Sequence, residues 1–208
     1  MTFEFYVWGF YGYFFSDFLE SIDEDFEFLD IGDNQGLYSL LASKNPNCRR
    51  CHAFEPVEET ASILRENIEL NEISNIDVHE VAISDVEGAS SIHIKASHSG
   101  AATMRDIGDE TWSDVPVSIR CITHKELENI VGNEHRLIVK IDVEGLEESV
   151  LKQLAACSFF DKISDVYFEV DSNWVDLDTI LNLLKDKGFQ NFERSGENDL
   201  HYDMLARR

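Results

Sequence analysis

A turn with two glycines and two acids lies between an apolar stretch and an amphipathic one. Residues 30–36 read DIGDNQG and follow the apolar run 26–31. This strand-to-helix setting is typical of a ligand-binding turn. Gly32 permits a tight turn, and Gly36 lets the helix start approach a ligand closely. Asp30 and Asp33 would repel a pyrophosphate, so they favour a cationic group such as the ammonium of an amino acid.

A further acid, Glu55, ends the next apolar stretch, residues 50–54. A carboxylate at this place can accept hydrogen bonds from both hydroxyls of a ribose. An acid-lined glycine turn followed by a ribose-binding acid predicts S-adenosylmethionine (SAM) as the cofactor. The glycine spacing G-x-x-x-G differs from the dinucleotide fingerprint G-x-G-x-x-G, which disfavours a nicotinamide or flavin dinucleotide.

Four other side chains are candidates for handling a proton. His98 lies in a small polar loop, where a histidine can act as a general base toward a hydroxyl. Asp142, Glu144 and Glu169 stand at or just beyond apolar runs, where acids can orient a hydroxyl or accept its proton. We predict all four as catalytic residues. The pattern C-x-x-C-H at residues 48–52 lacks the second ligand pair of a zinc site, so we predict no metal site.

Strands alternating with helices position these residues, which predicts an α/β fold with a mostly parallel sheet. A closing hairpin adds an antiparallel strand at one edge. Strands are predicted at 26–31, 50–54, 76–83, 90–95, 117–122, 137–143, 165–170, 189–193 and 202–206. Helices are predicted at 37–43, 57–70, 146–156 and 177–187. We expect strands 90–95 and 117–122 to run antiparallel, because both alternate in polarity.

The chain has 208 residues, the length of one domain with a small appendage. Residues 1–25 form an aromatic-rich segment that we predict to be a packing helix, a lid over the substrate or a homodimer surface, and residues 26–208 form the cofactor-binding domain. The formal net charge is −24, which disfavours nucleic acids and anionic membranes as partners. We find neither a membrane-spanning apolar stretch nor a signal-peptide pattern, which predicts a cytoplasmic protein.

Five sequence blocks carry a family resemblance. They read FLDIGDNQGLYS at 28–39, AFEP at 53–56, ENIELN at 66–71, VAISDVEG at 81–88 and VKIDVEGLEESVLK at 139–152. Together they resemble the FkbM family of SAM-dependent methyltransferases over about residues 28–170. Asp33 and Gln35 depart from the family pattern, which more often has small or apolar residues there.

The resemblance implies a class I methyltransferase fold, a Rossmann-like, doubly wound sheet of seven strands. It also implies that Glu55 binds the ribose, that the 81–85 turn borders the adenine, and that Asp142 lies beside the methyl-transfer site. The cofactor-binding residues it implies are Asp30, Gly32, Asn34, Gly36, Glu55, Ala82, Ser84, Asp85 and Asp142.

We therefore predict a SAM-dependent O-methyltransferase acting on a hydroxyl of a sugar, glycan or natural product. Two alternatives stay open. One is a nucleotide-dependent oxidoreductase, and the other is a non-catalytic acidic binding module with a methyltransferase-like fold.

Overall fold

The computed structural model describes residues 12–94, 102–103, 116–132 and 134–208. The strands are β1 (Phe26–Ile31), β2 (Cys48–Phe54), β3 (Ile76–His79), β4 (Ala82–Ile83), β5 (Gly88–Ile94), β6 (Ala102–Thr103), β7 (Val117–Ile122), β8 (Arg136–Ile141), β9 (Ile163–Asp171), β10 (Asn191–Ser195) and β11 (His201–Arg207). The helices are α1 (Tyr13–Glu20), α2 (Leu37–Lys44), α3 (Glu58–Leu70), α4 (His124–Ile130), α5 (Glu147–Ala156) and α6 (Leu177–Asp186), with a 3₁₀ turn at Ser158–Lys162.

The main sheet has seven strands in the order β10-β11-β9-β8-β1-β2-β3. Strand β11 pairs antiparallel with both β9 and β10, whereas β9, β8, β1, β2 and β3 pair in parallel. The predicted mostly parallel seven-stranded sheet, with an antiparallel strand inserted at one edge, is thus confirmed. The sheet has the strand order of a class I methyltransferase fold.

Apolar side chains cover both faces of this sheet. On one face, Phe28 and Ile138 pack with Phe15 of α1 and with the α2 residue Ala42. On the other face, Leu29, Val139 and Phe168 pack with buried side chains of α4, α5 and α6. All six residues of β1 are buried, because a central parallel strand has helices above and below it.

The predicted single strand 76–83 is wrong. The chain turns after β3, where the Val81 N–H donates to the His79 carbonyl at 2.9 Å, and β4 then pairs in parallel with β7. Strands β4, β7, β5 and β6 form a second, smaller sheet in that order. An apolar run does not reveal a turn of this kind, because both short strands are partly buried. The prediction that the two alternating segments are antiparallel strands is confirmed, and the structure shows that β5 pairs with β7.

The N-terminal segment contributes helix α1, whose Phe15 ring stacks on Tyr167 with ring centroids 4.0 Å apart. Residues 1–11 lie outside the described part of the chain, so the lid and the dimer surface remain predictions. None of the helices within the described ranges is long and apolar enough to cross a membrane.

Candidate active site

Two clefts meet at the carboxyl ends of the parallel strands, where open α/β sheets bind ligands. The first, which we call the apolar cleft, is lined mainly by Phe54, Val81, Ile83, Ile92, Ile119 and Leu146, with Glu55 at its side. The second, the acidic cleft, is lined by Asp33, Tyr38, Lys140, Tyr167, Glu169 and Asp203. Gly32, Asn34 and Asp142 line both clefts and form the junction between them.

The junction depends on a glycine at position 32. Gly32 has φ +82°, and a Cβ there would lie 1.9 Å from the backbone oxygen of Asp142. The end of β8 is held against the end of β1, because the Asp142 N–H donates to the Ile31 carbonyl at 2.9 Å. The close approach of these two strand ends requires a residue without a side chain at position 32.

Asn34 links the turn to the next strand. It has φ +58°, and its backbone N–H donates to Oε2 of Glu55 at 3.1 Å. Its side-chain Oδ1 is buried and has no hydrogen-bond partner within the described residues. A buried acceptor without a partner is costly, so a ligand donor at the junction would satisfy it.

Glu55 is fixed by backbone donors on both of its oxygens. Oε1 accepts from the Val57 N–H at 2.9 Å, and Oε2 accepts from Asn34. The residue is only 7% exposed, and burial raises the pKa of its carboxyl to about 7. The carboxyl at the end of β2 is therefore held in one orientation beside the apolar cleft.

Lys140 is the buried cation of the site. Its Nζ lies 3.1 Å from Oδ1 of Asp30, 3.3 Å from the Gly32 carbonyl oxygen and 3.4 Å from Oδ2 of Asp142. Asp30 and Lys140 face each other across β1 and β8. Asp30 is fully buried and lines neither cleft, so its partner in this structure is Lys140. Asp33 is 5% exposed, and burial together with the neighbouring Asp30 raises its pKa.

Carboxyl groups crowd the acidic cleft. Glu169 on β9 lies opposite Asp203 on β11. Burial, followed by repulsion from Asp142 and Glu144, raises the pKa of Glu169 to about 10. Burial also raises the pKa of Asp203. Because these acids cannot all be ionised at low cost, the cleft holds protons at neutral pH.

The loop after β8 is shaped by a buried acid of α5. Oε1 of Glu147 accepts from the backbone N–H groups of Val143 and Gly145, at 3.2 and 3.1 Å. This holds Glu144 at the edge of the apolar cleft with φ +52°. A left-handed conformation at a non-glycine residue is strained, so the Glu147 bonds stabilise a loop that would otherwise relax.

Comparison with known proteins decides the family. The family described as Methyltransferase FkbM domain matches residues 30–190. The chain belongs to this FkbM family. A relative named Methyltransferase 1, from Beauveria bassiana (strain ARSEF 2860), is 26% identical over 182 residues, covering 80% of this chain and 73% of its own.

Solved structures with the same fold support the architecture of this FkbM domain. A Streptococcus thermophilus rRNA methylase aligns with TM-score 0.55 and 11% identity over 93% of each chain. A Streptococcus mutans protein in complex with S-adenosylhomocysteine aligns with TM-score 0.54 and 13% identity, over 92% of this chain and 94% of that one. A precorrin-6y C5,15-methyltransferase from Geobacter metallireducens GS-15 gives TM-score 0.53 and 14% identity, over 93% and 87%. At these identities the likeness concerns the fold.

Not every predicted site residue of the FkbM domain faces a cleft. A Cβ on Gly36 would lie 2.4 Å from Cδ1 of Leu64, so a glycine here makes room for α3, and Gly36 lines neither cleft. Ala82 lines the apolar cleft. The Ser84 hydroxyl is instead used in its own turn, where it accepts from the Val86 N–H at 3.3 Å. Asp85 lines a separate depression beside Trp174.

The other predicted groups divide in the same way. Asp142 and Glu169 line the acidic cleft, and Glu144 lines the apolar one, whereas His98 lies outside the described residues. Within the described ranges, no group of three or more His, Cys, Asp or Glu side chains is arranged to hold a metal ion. Cys48 and Cys51 are buried free thiols, with their sulfurs 3.4 Å apart.

Sequence reasoning missed Lys140, Glu147 and Asp203. A signal existed for Lys140, because a lysine inside the apolar run 137–143 must be buried and therefore paired. Asp203 had no such signal, because only the pairing of β11 with β9 brings it to the site.

Proposed function

We propose that this FkbM domain transfers the methyl group of SAM to a hydroxyl of a sugar, glycan or natural-product acceptor. The observation that carries the proposal is the junction of the two clefts at Gly32, Asn34 and Asp142. One cleft has the shape and polarity for a nucleoside, and the other is polar and proton-rich. A group passing between two bound molecules would cross at this junction.

The residues of the apolar cleft fit SAM. Ile92 and Ile119 offer apolar walls for an adenine ring, and the fixed carboxyl of Glu55 suits the ribose hydroxyls. The amino-acid part would reach the turn, where Asp33 suits an ammonium and Oδ1 of Asn34 needs a donor. When bound, SAM supplies an electrophilic methyl group on a positively charged sulfur. A neighbour of the same fold that is in complex with S-adenosylhomocysteine supports this choice.

The acidic cleft would hold the acceptor. Tyr38 and Tyr167 line its wall but are 7% and 4% exposed, so the polar groups of the cleft and not open ring faces would hold the acceptor. Asp142, held as the partner of Lys140, would accept a hydrogen bond from the acceptor hydroxyl and align its oxygen with the methyl group. The formal net charge of −24 disfavours a phosphorylated acceptor, so we propose a neutral or cationic small molecule or glycan and not a nucleic acid.

The oxidoreductase alternative is disfavoured by the same turn. Asp33 lines the cleft where a dinucleotide pyrophosphate would lie, and Lys140, the one cation among the described residues that line the two clefts, is already paired with Asp30. The non-catalytic binding module would bind the same ligands as the methyltransferase, and it would differ only in transferring no methyl group.

Calorimetric titration with SAM, S-adenosylhomocysteine and NAD separates these functions. We expect both adenosyl compounds to bind and NAD not to bind. A screen of glycans, polyketides and small alcohols should then find an acceptor, with the release of S-adenosylhomocysteine as the measured signal of methyl transfer. Two variants serve as controls. Glu55→Ala should bind SAM weakly, whereas Glu59→Ala, on the exposed side of α3, should bind it as wild type does. NAD binding would favour the oxidoreductase, and SAM binding without turnover would favour the binding module.

A further inference from the structure

A row of three side chains leads from the acidic cleft to solvent. Glu169 lines the cleft, and its Oε1 lies 3.0 Å from Nε2 of His201. On the other side of the imidazole, Nδ1 lies 3.9 Å from Oδ2 of Asp171. The His201 side chain is 54% exposed, whereas that of Glu169 is 15% exposed. The imidazole thus touches a half-buried carboxyl at one nitrogen and is open to water.

Strand register produces this row. His201 lies opposite Asp171 in the pairing of β11 with β9, and Asp203 lies opposite Glu169. Because side chains alternate between the faces of a sheet, these four residues share one face. Asp171 is further oriented by the Asn173 backbone N–H, which donates to its Oδ1 at 2.8 Å.

We propose that Glu169 is a catalytic acid that passes the acceptor proton to His201, which releases it to solvent. The inference rests on the proposed methyl transfer to a hydroxyl. In the step, the acceptor oxygen forms a bond to the methyl carbon while the bond from carbon to sulfur breaks, and its electron pair stays on sulfur. The hydroxyl proton moves to one oxygen of Glu169, and the proton on Oε1 moves to Nε2 of His201. The imidazolium then loses its Nδ1 or Nε2 proton to water.

The relay explains how a protonated carboxyl can serve as the proton acceptor. Burial and repulsion from Asp142, Glu144, Glu147 and Asp203 raise the pKa of Glu169 to about 10, so it is an acid at neutral pH. An acid that gives one proton while taking another stays uncharged throughout. No additional negative charge has to be placed among its neighbours, which would be costly in this cleft.

Other groups near the relay fit these roles. Asp142 is paired with Lys140 at 3.4 Å, which holds its side chain in place to orient the hydroxyl. Asp171 lies at Nδ1 of His201, which favours a proton on that nitrogen and leaves Nε2 free to accept. Of the remaining charged groups, Asp203 faces Glu169 from β11, and Glu144 and Glu147 face it from the loop and α5.

The test compares His201→Gln and His201→Ala with wild type on a hydroxyl acceptor. His201→Gln keeps a polar partner for Glu169 but has no nitrogen that titrates. We expect kcat to fall by about 10²-fold in both variants, as is typical for loss of an acid–base group. SAM affinity should stay unchanged. Added imidazole should restore kcat in His201→Ala. His135→Gln, on the loop before β8 at the opposite end of the sheet, is the control.

A second measurement needs no turnover. The ¹³C resonance of the Glu169 carboxyl, assigned by its loss in Glu169→Gln, should have the shift of a protonated acid at pH 7. A carboxylate shift at pH 7 would overturn the relay, as would full kcat in His201→Gln with a methylated acceptor. If no hydroxyl acceptor is methylated by the wild-type protein, the proposed function itself fails and the relay fails with it.

Discussion

The two clefts use the same residue type in different ways. In the apolar cleft, Glu55 has both oxygens occupied by backbone N–H groups. In the acidic cleft, Glu169 is surrounded by other acids and touches a histidine. Burial raises both pKa values, to about 7 for Glu55 and to about 10 for Glu169. Two backbone donors stabilise the charged form of one, whereas neighbouring carboxyls oppose it in the other. We infer that the first is built to bind and the second to carry a proton.

The largest expected effect on SAM affinity is at the junction that both clefts share. Gly32→Ala places a Cβ 1.9 Å from the Asp142 carbonyl oxygen, so the turn must move away from β8. Displacing groups by about 1 Å can cost 10²-fold, and we expect SAM affinity to fall by at least about that much in calorimetry.

Gly88→Ala is the matched control for this substitution. Gly88 also has a positive φ, +107°, but its Cβ would meet no atom of the described residues within 4 Å. It therefore reports backbone strain alone, and its SAM affinity should equal that of wild type. Equal SAM affinity in Gly32→Ala and wild type would show that the junction does not hold the cofactor.

The next effect concerns the cation that the acids of the site surround. Lys140→Met leaves Asp30 buried without its partner, and breaking a buried pair costs about 3–5 kcal/mol. Urea unfolding should show a loss of this size. The double variant Asp30→Asn/Lys140→Met should recover a large part of it, because no unpaired charge remains. If Lys140→Met is as stable as wild type, Asp30 does not depend on Lys140.

The apolar cleft was the more predictable half of the site. Only helix α2 and strand β2 separate its turn from Glu55 along the chain. Motifs of neighbouring residues are therefore enough to predict both. Hydrophobic patterning also gave most elements of the main sheet, because strands buried on both faces are nearly continuous apolar runs. Hydrophobic patterning did not predict the turn between β3 and β4, because a backbone hydrogen bond, and not a change in side-chain polarity, ends the strand there.

The acidic cleft depends on pairings distant in sequence. Asp142, Glu169 and Asp203 come from the ends of three strands, and His201 reaches Glu169 only because β11 inserts beside β9. Strand register fixes which side chains face each other, and register is set by tertiary packing. The glycine at position 36 likewise does not reveal from the sequence that its missing side chain makes room for Leu64.

A smaller effect tests the binding role of Glu55. A charge-assisted hydrogen bond contributes about 1.5–3 kcal/mol, so Glu55→Ala should weaken SAM binding by about 10- to 150-fold. Affinity should also depend on pH. Burial holds the carboxyl protonated below about pH 7, and ribose hydroxyls are best accepted by the carboxylate.

Wild-type affinity for SAM should therefore fall as the pH drops below about 7, approaching tenfold per pH unit, because binding must first release a proton. Glu55→Ala should show no such dependence, and the two affinity curves should converge at low pH. The contact is refuted if calorimetry gives Glu55→Ala the same SAM affinity and pH dependence as wild type.

The smallest effect asks whether the apolar cleft holds the adenine through the second sheet. Ile119 on β7 is buried and lines this cleft, so Ile119→Val removes one methylene from its wall. Loss of such a group typically costs about 0.5–1.5 kcal/mol, or about 2- to 10-fold in affinity. The loss should appear with SAM and equally with adenosine alone, because both carry the ring that the wall would contact.

Ile180→Val is the control, since Ile180 of α6 is fully buried in the core and lines neither cleft. It should lower stability by a similar amount while leaving both affinities unchanged. If the two variants weaken SAM binding alike, the effect comes from general destabilisation, and the adenine lies elsewhere.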